Sequence, residues 1–230
     1  MFKHTITFAA VVGLVFALAP AAQASGWTGP GGIISPVGLA PGGKYHLVFV
    51  TSGKPSDAST SASLATYHAA VNTVADGSSL TDMEEVTWYC IGSTATANAI
   101  DLFSDASPIY LLDGTTQVSA TYELMWSGSI DNKINISENG PDSGTIGGDA
   151  WTGTGKLGLA SAYPLGSAEE CTYGGAWSAG EQWISAGTGT AWDFKHLYAM
   201  SGELTVVPEP ATMALLGLGA LGLVFGRNRR

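Results

Sequence analysis

Two cysteines, Cys90 and Cys171, and an oxygen-rich stretch at 131–149 are the residues of this sequence best suited to chemistry. If the chain folds in an oxidising compartment, the cysteines fit one disulfide, with two separate thiols as the alternative. Closing a loop of roughly 80 residues would contribute about 4–5 kcal/mol in the chain-entropy model. Neither a Cys-x-x-Cys nor a close histidine pair is present, so a transition-metal centre has no support. The 131–149 stretch holds Asp131, Asn132, Asn135, Glu138, Asn139, Asp142 and Asp149, hard oxygen donors of the kind calcium takes. Ile136 stands where an EF-hand needs glycine, so a solvated loop is the plainer expectation; no cofactor is expected, with calcium the one candidate ion. Trp126 and Trp151 flank the stretch and would offer flat apolar faces to a sugar ring. Asp131, Asp142, Asp149, Trp126 and Trp151 therefore form the candidate ligand loop, although most tryptophans of such a domain are expected in its core.

Catalytic patterns are approached and missed. Ala176-Trp177-Ser178-Ala179-Gly180 has the outline of a nucleophile elbow but lacks its first glycine. Ala150-Trp151-Thr152-Gly153-Thr154-Gly155-Lys156-Leu157 falls short of a phosphate loop at both ends, where glycine and a magnesium-binding hydroxyl belong. His46, His68 and His196 sit in no recognisable motif. The acid pairs Glu84/Glu85 and Glu169/Glu170 are adjacent, and neighbours on a strand point to opposite faces. The expectation is a protein that is not an enzyme, with a secreted glycan hydrolase as the alternative.

The elements that would position these residues are short. Of 230 residues only 12% are charged, Gly numbers 31, and the net charge is −10. All nineteen acids lie between Asp57 and Glu209, whereas four of the nine basic residues sit at the two ends. So acidic a middle repels a phosphate backbone, and nucleic acid is excluded as a partner. Apolar, β-rich runs predict strands at 45–51, 86–91, 109–112, 122–126, 150–151 and 197–200. Leu64, Tyr67, Ala70, Val71 and Val74 recur at helical spacing and predict one amphipathic helix over 63–74. One early helix among short strands and long loops is an α+β plan.

The ends describe transport. Met1-Phe2-Lys3-His4, an apolar run and small residues at Ala22 and Ala24 predict a signal peptide over 1–24. At the other end, Pro208-Glu209-Pro210 abuts sixteen mostly apolar or small residues, 211–226, followed by Arg227, Arg229 and Arg230. As a helix the span would cover about 24 Å against a hydrocarbon core of about 30 Å, a short transmembrane anchor with its arginines inside. This three-part tail, 206–230, resembles the PEP-CTERM sorting signal, also labelled the C-terminal domain of ice-binding proteins. The resemblance implies recognition by exosortase, a membrane cysteine transpeptidase. Transient residence in the inner membrane, cleavage near 208–210 and release to the cell surface would follow. Proteins of this kind belong to bacteria that export extracellular polysaccharide, the partner this implies.

Between a Gly/Pro-rich lead-in at 25–43 and the tail, the domain at 44–205 resembles the C-type-lectin-like fold. The matching pieces are Leu47-Val48-Phe49-Val50-Thr51, Val86-Thr87-Trp88-Tyr89, Leu112-Asp113-Gly114, Leu124-Met125-Trp126-Ser127-Gly128, Trp151-Thr152-Gly153-Thr154 and His196-Leu197-Tyr198-Ala199. The calcium-binding triplets of sugar-binding members are absent, so calcium-dependent sugar binding is not implied. The resemblance implies an exported binding or adhesion protein of the extracellular matrix. Ice binding or a purely structural matrix role are further alternatives.

Overall fold

The computed structural model describes residues 34–206. The expected signal peptide, the apolar span at 211–226 and the sorting residues Pro208, Glu209, Pro210, Arg227, Arg229 and Arg230 lie outside the described residues. Within them the chain is mixed α+β with few helices and mostly strands, and no helix is long and apolar enough to cross a membrane.

The sheet grows from β1 (Lys44–Val50), which is buried on both faces from Tyr45 onward, as its unbroken apolar run requires of a central strand. β1 pairs antiparallel with β11 (Phe194–Ser201), Val48 opposite Met200 and Val50 opposite Tyr198. On its other side it pairs parallel with β4 (Ile109–Leu111), His46 opposite Ile109. β4 continues to β5 (Gln117–Ser119) through an Asp113-Gly114 turn, in which the Asp113 carboxylate accepts the Thr115 and Thr116 N–H groups and Gly114 takes φ 66°. Beyond β11 the sheet runs through β8 (Asp149–Trp151) and β9 (Glu170–Gly175) to β10 (Gly187–Thr190) at the edge. β2 (Ser56–Asp57) and β3 (Trp88–Cys90) extend β11, and β12 (Leu204–Thr205) returns to the start of β1. β6 (Ile136–Ser137) and β7 (Gly140–Thr145) form a separate hairpin.

Helix α1 (Leu64–Asp76) begins after Ser63 and buries Leu64, Tyr67 and Val71 of the predicted stripe together with Ala75, while Ala70 and Val74 are half-buried. Its flank treats the edge of β3 as a strand would. Asn72 accepts the Trp88 N–H at 3.0 Å and donates to the Trp88 carbonyl at 2.7 Å, while His68 Nδ1 accepts the Cys90 N–H at 2.9 Å. An exposed row of backbone groups is thereby covered without another strand. The strand expected at 122–126 is instead a helical turn, α2 (Tyr122–Met125). Thr121 Oγ1 accepts the Leu124 N–H at 3.1 Å, and this cap outweighs the β preference of the aromatic run.

Candidate functional site

The expected disulfide is absent: Cys90 and Cys171 are free, buried thiols. Burial pushes both up to about 12, so neither is a nucleophile at neutral pH. Each is a small apolar side chain in the core, Cys90 on β3 and Cys171 on β9. The two strands never pair with each other; β3 joins β11, while β9 lies beyond β8.

The candidate ligand loop is not assembled. Asp131 and Asp142 are exposed, and Asp149 pairs with Lys195 at 3.3 Å, beneath which lie the Trp151 and Tyr173 rings. Trp126 and Trp151 present no face to solvent, with 4% and 0% exposure; Trp151 Nε1 donates to the Asp193 carbonyl at 2.8 Å. Glu138, the buried acid of the stretch, is consumed internally, accepting the Ser52 N–H at 2.8 Å, the Ser52 hydroxyl and the Asn139 amide at 3.0 Å. Among the described residues no group of three His, Cys, Asp or Glu side chains is placed to hold a metal ion.

The structure gathers a different set. A cavity of about 300 Å³ is lined by Ile100, Phe103, Ser104, Asp105, Ala106, Thr121, Tyr122 and Glu123. The hairpin β4–β5 builds it: the segment entering β4 and the segment leaving β5 are carried to one end of the pair, so 100–106 and 121–123 meet. Sequence reading missed these residues because no spacing links the two segments. The signal that could have found them is the Asp113-Gly114 turn between two apolar runs, which brings its flanks together.

The walls are apolar and the rim is acidic. Phe103 stands edge-on to Tyr122 at 5.3 Å between ring centres and lies 4.7 Å from the His46 ring. The Tyr122 hydroxyl donates to the Ala99 carbonyl, and burial first, with Asp101 and Asp105 adding to it, pushes its pKa far up, so it stays protonated. Ser104 and Glu123 are exposed at the mouth.

Asp105 is fixed from behind. His46 is wholly buried on β1, its Nδ1 2.8 Å from the Ser201 carbonyl and its Nε2 3.0 Å from Asp105. Both ring nitrogens are thereby engaged, one by a backbone carbonyl and one by a carboxylate. Burial alone would raise the Asp105 carboxyl. The Ser107 N–H at 2.9 Å and His46 outweigh it, and the group sits below its usual range. Alongside, Glu203 accepts from the Ser107 hydroxyl at 2.9 Å and pairs with Lys44, which also lowers its pKa.

A histidine and an aspartate in contact look like two-thirds of a catalytic triad, but the geometry is wrong for one. In a triad one ring nitrogen faces the acid and the other takes the proton of a serine. Here Nδ1 is committed to the Ser201 carbonyl, and the Ser107 hydroxyl points to Glu203. What the arrangement offers is a carboxylate held ionised beside two aromatic walls and two hydroxyls, able to accept hydrogen bonds from a polyhydroxylated or amine-bearing ligand.

Residues 206–230 match the family described as the PEP-CTERM protein-sorting motif. The motif marks the chain as an exosortase-targeted, exported protein that passes through the membrane to the cell surface. No curated protein matches the chain.

Proposed function

We propose that this exported surface protein is a binding protein without enzymatic activity, and that the described domain engages extracellular polysaccharide at the cavity between Phe103 and Glu123. The observation carrying this reading is the cavity itself, where apolar ring walls and fixed polar acceptors converge in a chain whose tail addresses it to the cell surface. The C-type-lectin-like reading is supported by the pairing of the first strand, β1, with the closing strand, β11, and by one early helix packed beside them. Binding is favoured over hydrolysis by the commitments of His46 and Asp105. The acids Glu84, Glu85, Glu169 and Glu170 are exposed and line no part of the cavity.

With Asp105 and Glu123 at the mouth and a net charge of −10, a neutral or amine-bearing polysaccharide suits the site better than an acidic one. Titration calorimetry of the surface form against neutral, amine-bearing and acidic polysaccharides tests this. Phe103→Ala and Glu123→Gln are each expected to weaken binding about tenfold, the loss of one good contact, while Asp142→Ala leaves it unchanged. Failure of every polysaccharide to bind, or binding indifferent to the cavity substitutions, would overturn the reading.

A further inference from the structure

The sorting motif and the folded sheet share a residue. The motif begins at Val206, and Val206 is stitched into the domain. Its N–H donates to the Gly43 carbonyl at 2.8 Å, its carbonyl accepts the Gly42 N–H at 2.8 Å, and its side chain is buried. Immediately before it, β12 pairs with the start of β1, Thr205 opposite Lys44 and Leu204 opposite Tyr45. The Lys44–Glu203 ion pair closes the same rim. Only Val207 separates the last stitched residue from Pro208.

An enzyme that cuts within a peptide motif holds it as extended chain on both sides of the bond, commonly through strand-like backbone pairing. The residues ahead of Pro208 offer no such chain while their N–H and C=O groups are bonded to β1 and to Gly42 and Gly43. β12 is also the part of the sheet most easily released, since it is two residues long, lies at the end of the domain and is only half-buried at Leu204. We propose that exosortase processing requires this rim to open: β12 and Val206 leave the sheet, and the released chain is what the enzyme grips. The folded domain then sets the processing rate through the population of the open rim, independently of any ligand in the cavity.

The experiment locks the rim in the full-length chain in its native host. Lys44→Cys with Thr205→Cys places two thiols on directly opposed residues, and a crosslink between them, verified by mass, forbids opening. Pulse-labelling then follows conversion of the full-length form to the processed form. The locked chain is expected to convert at least about tenfold more slowly, because only the open fraction is a substrate. Inserting Gly-Ser-Gly-Ser between Val206 and Val207 of the locked chain restores the native rate, since the enzyme then has free chain without opening the sheet. Processing of the locked chain at the native rate overturns the proposal, as does a slow locked chain that the insertion fails to rescue.

Discussion

At the scale of single residues, the pair His46 and Asp105 ties three distant parts of the chain together: β1, the segment before β4, and the Ser201 end of β11. A buried imidazole bonded at both nitrogens leaves polar partners behind when it is removed. His46→Leu keeps most of the volume but leaves the Ser201 carbonyl unpaired and takes one hydrogen-bond partner from Asp105. It should lower stability by about 2 kcal/mol, measured by urea unfolding. The same pair sets a pH dependence. The Asp105 carboxyl is depressed in the folded protein, so its stabilising share is fully present above its unfolded value, near 3.9, and is lost as pH falls through the folded value. Glu203 is depressed in the same direction, but its exposure to solvent leaves it a smaller part. Unfolding midpoints measured from about pH 5 downward should therefore fall, and fall less steeply in His46→Leu. A variant as stable as the parent, or equal slopes in the two proteins, would remove this account.

At the scale of elements, what the sequence makes readable is what side chains write with a period. β1, β11 and α1 lie within a few residues of their expected positions because long apolar runs and a Leu64, Tyr67, Val71 stripe leave little choice. Strands β9 and β10, Glu-Cys-Thr-Tyr-Gly-Gly and Gly-Thr-Gly-Thr, carried no such signal. Their glycines are there for space. A Cβ at Gly174 would overlap the Trp183 carbonyl, and Gly189 lies against the Trp151 ring and the Lys195 stem. The cavity was illegible for a related reason, since its two lining segments acquire a relation only once the β4–β5 hairpin closes. The covering of β3 by α1 was equally invisible, because Asn72 in a helix looks like any surface polar residue. Asn72→Ala would leave the Trp88 N–H and C=O without partners in a largely buried seam, at about 2–3 kcal/mol for the pair. Thermal unfolding checks the magnitude. Hydrogen exchange at Trp88 checks the cause, because the amide should exchange faster than in the parent by more than the global change.

At the scale of the whole molecule, the two ends of the domain are zipped to each other. The Leu47 N–H is held by the Ser201 hydroxyl 154 positions later, and Lys44 faces Thr205. Contacts of such sequence separation form late in folding. A chain ended at Asp193 lacks β11, the strand that β1, β2, β3 and β8 all pair with. It should be degraded throughout by limited proteolysis, whereas a chain ended at Val206 should resist as the full-length protein does. A resistant core in the shorter chain would show that the sheet closes without β11. β1 and the strand that completes it, β11, stand near opposite ends of the described residues, and β11 lies within a few residues of the sorting motif. A copy that lacks the residues from 194 onward therefore loses in one stroke both the strand that completes the fold and the motif that addresses it.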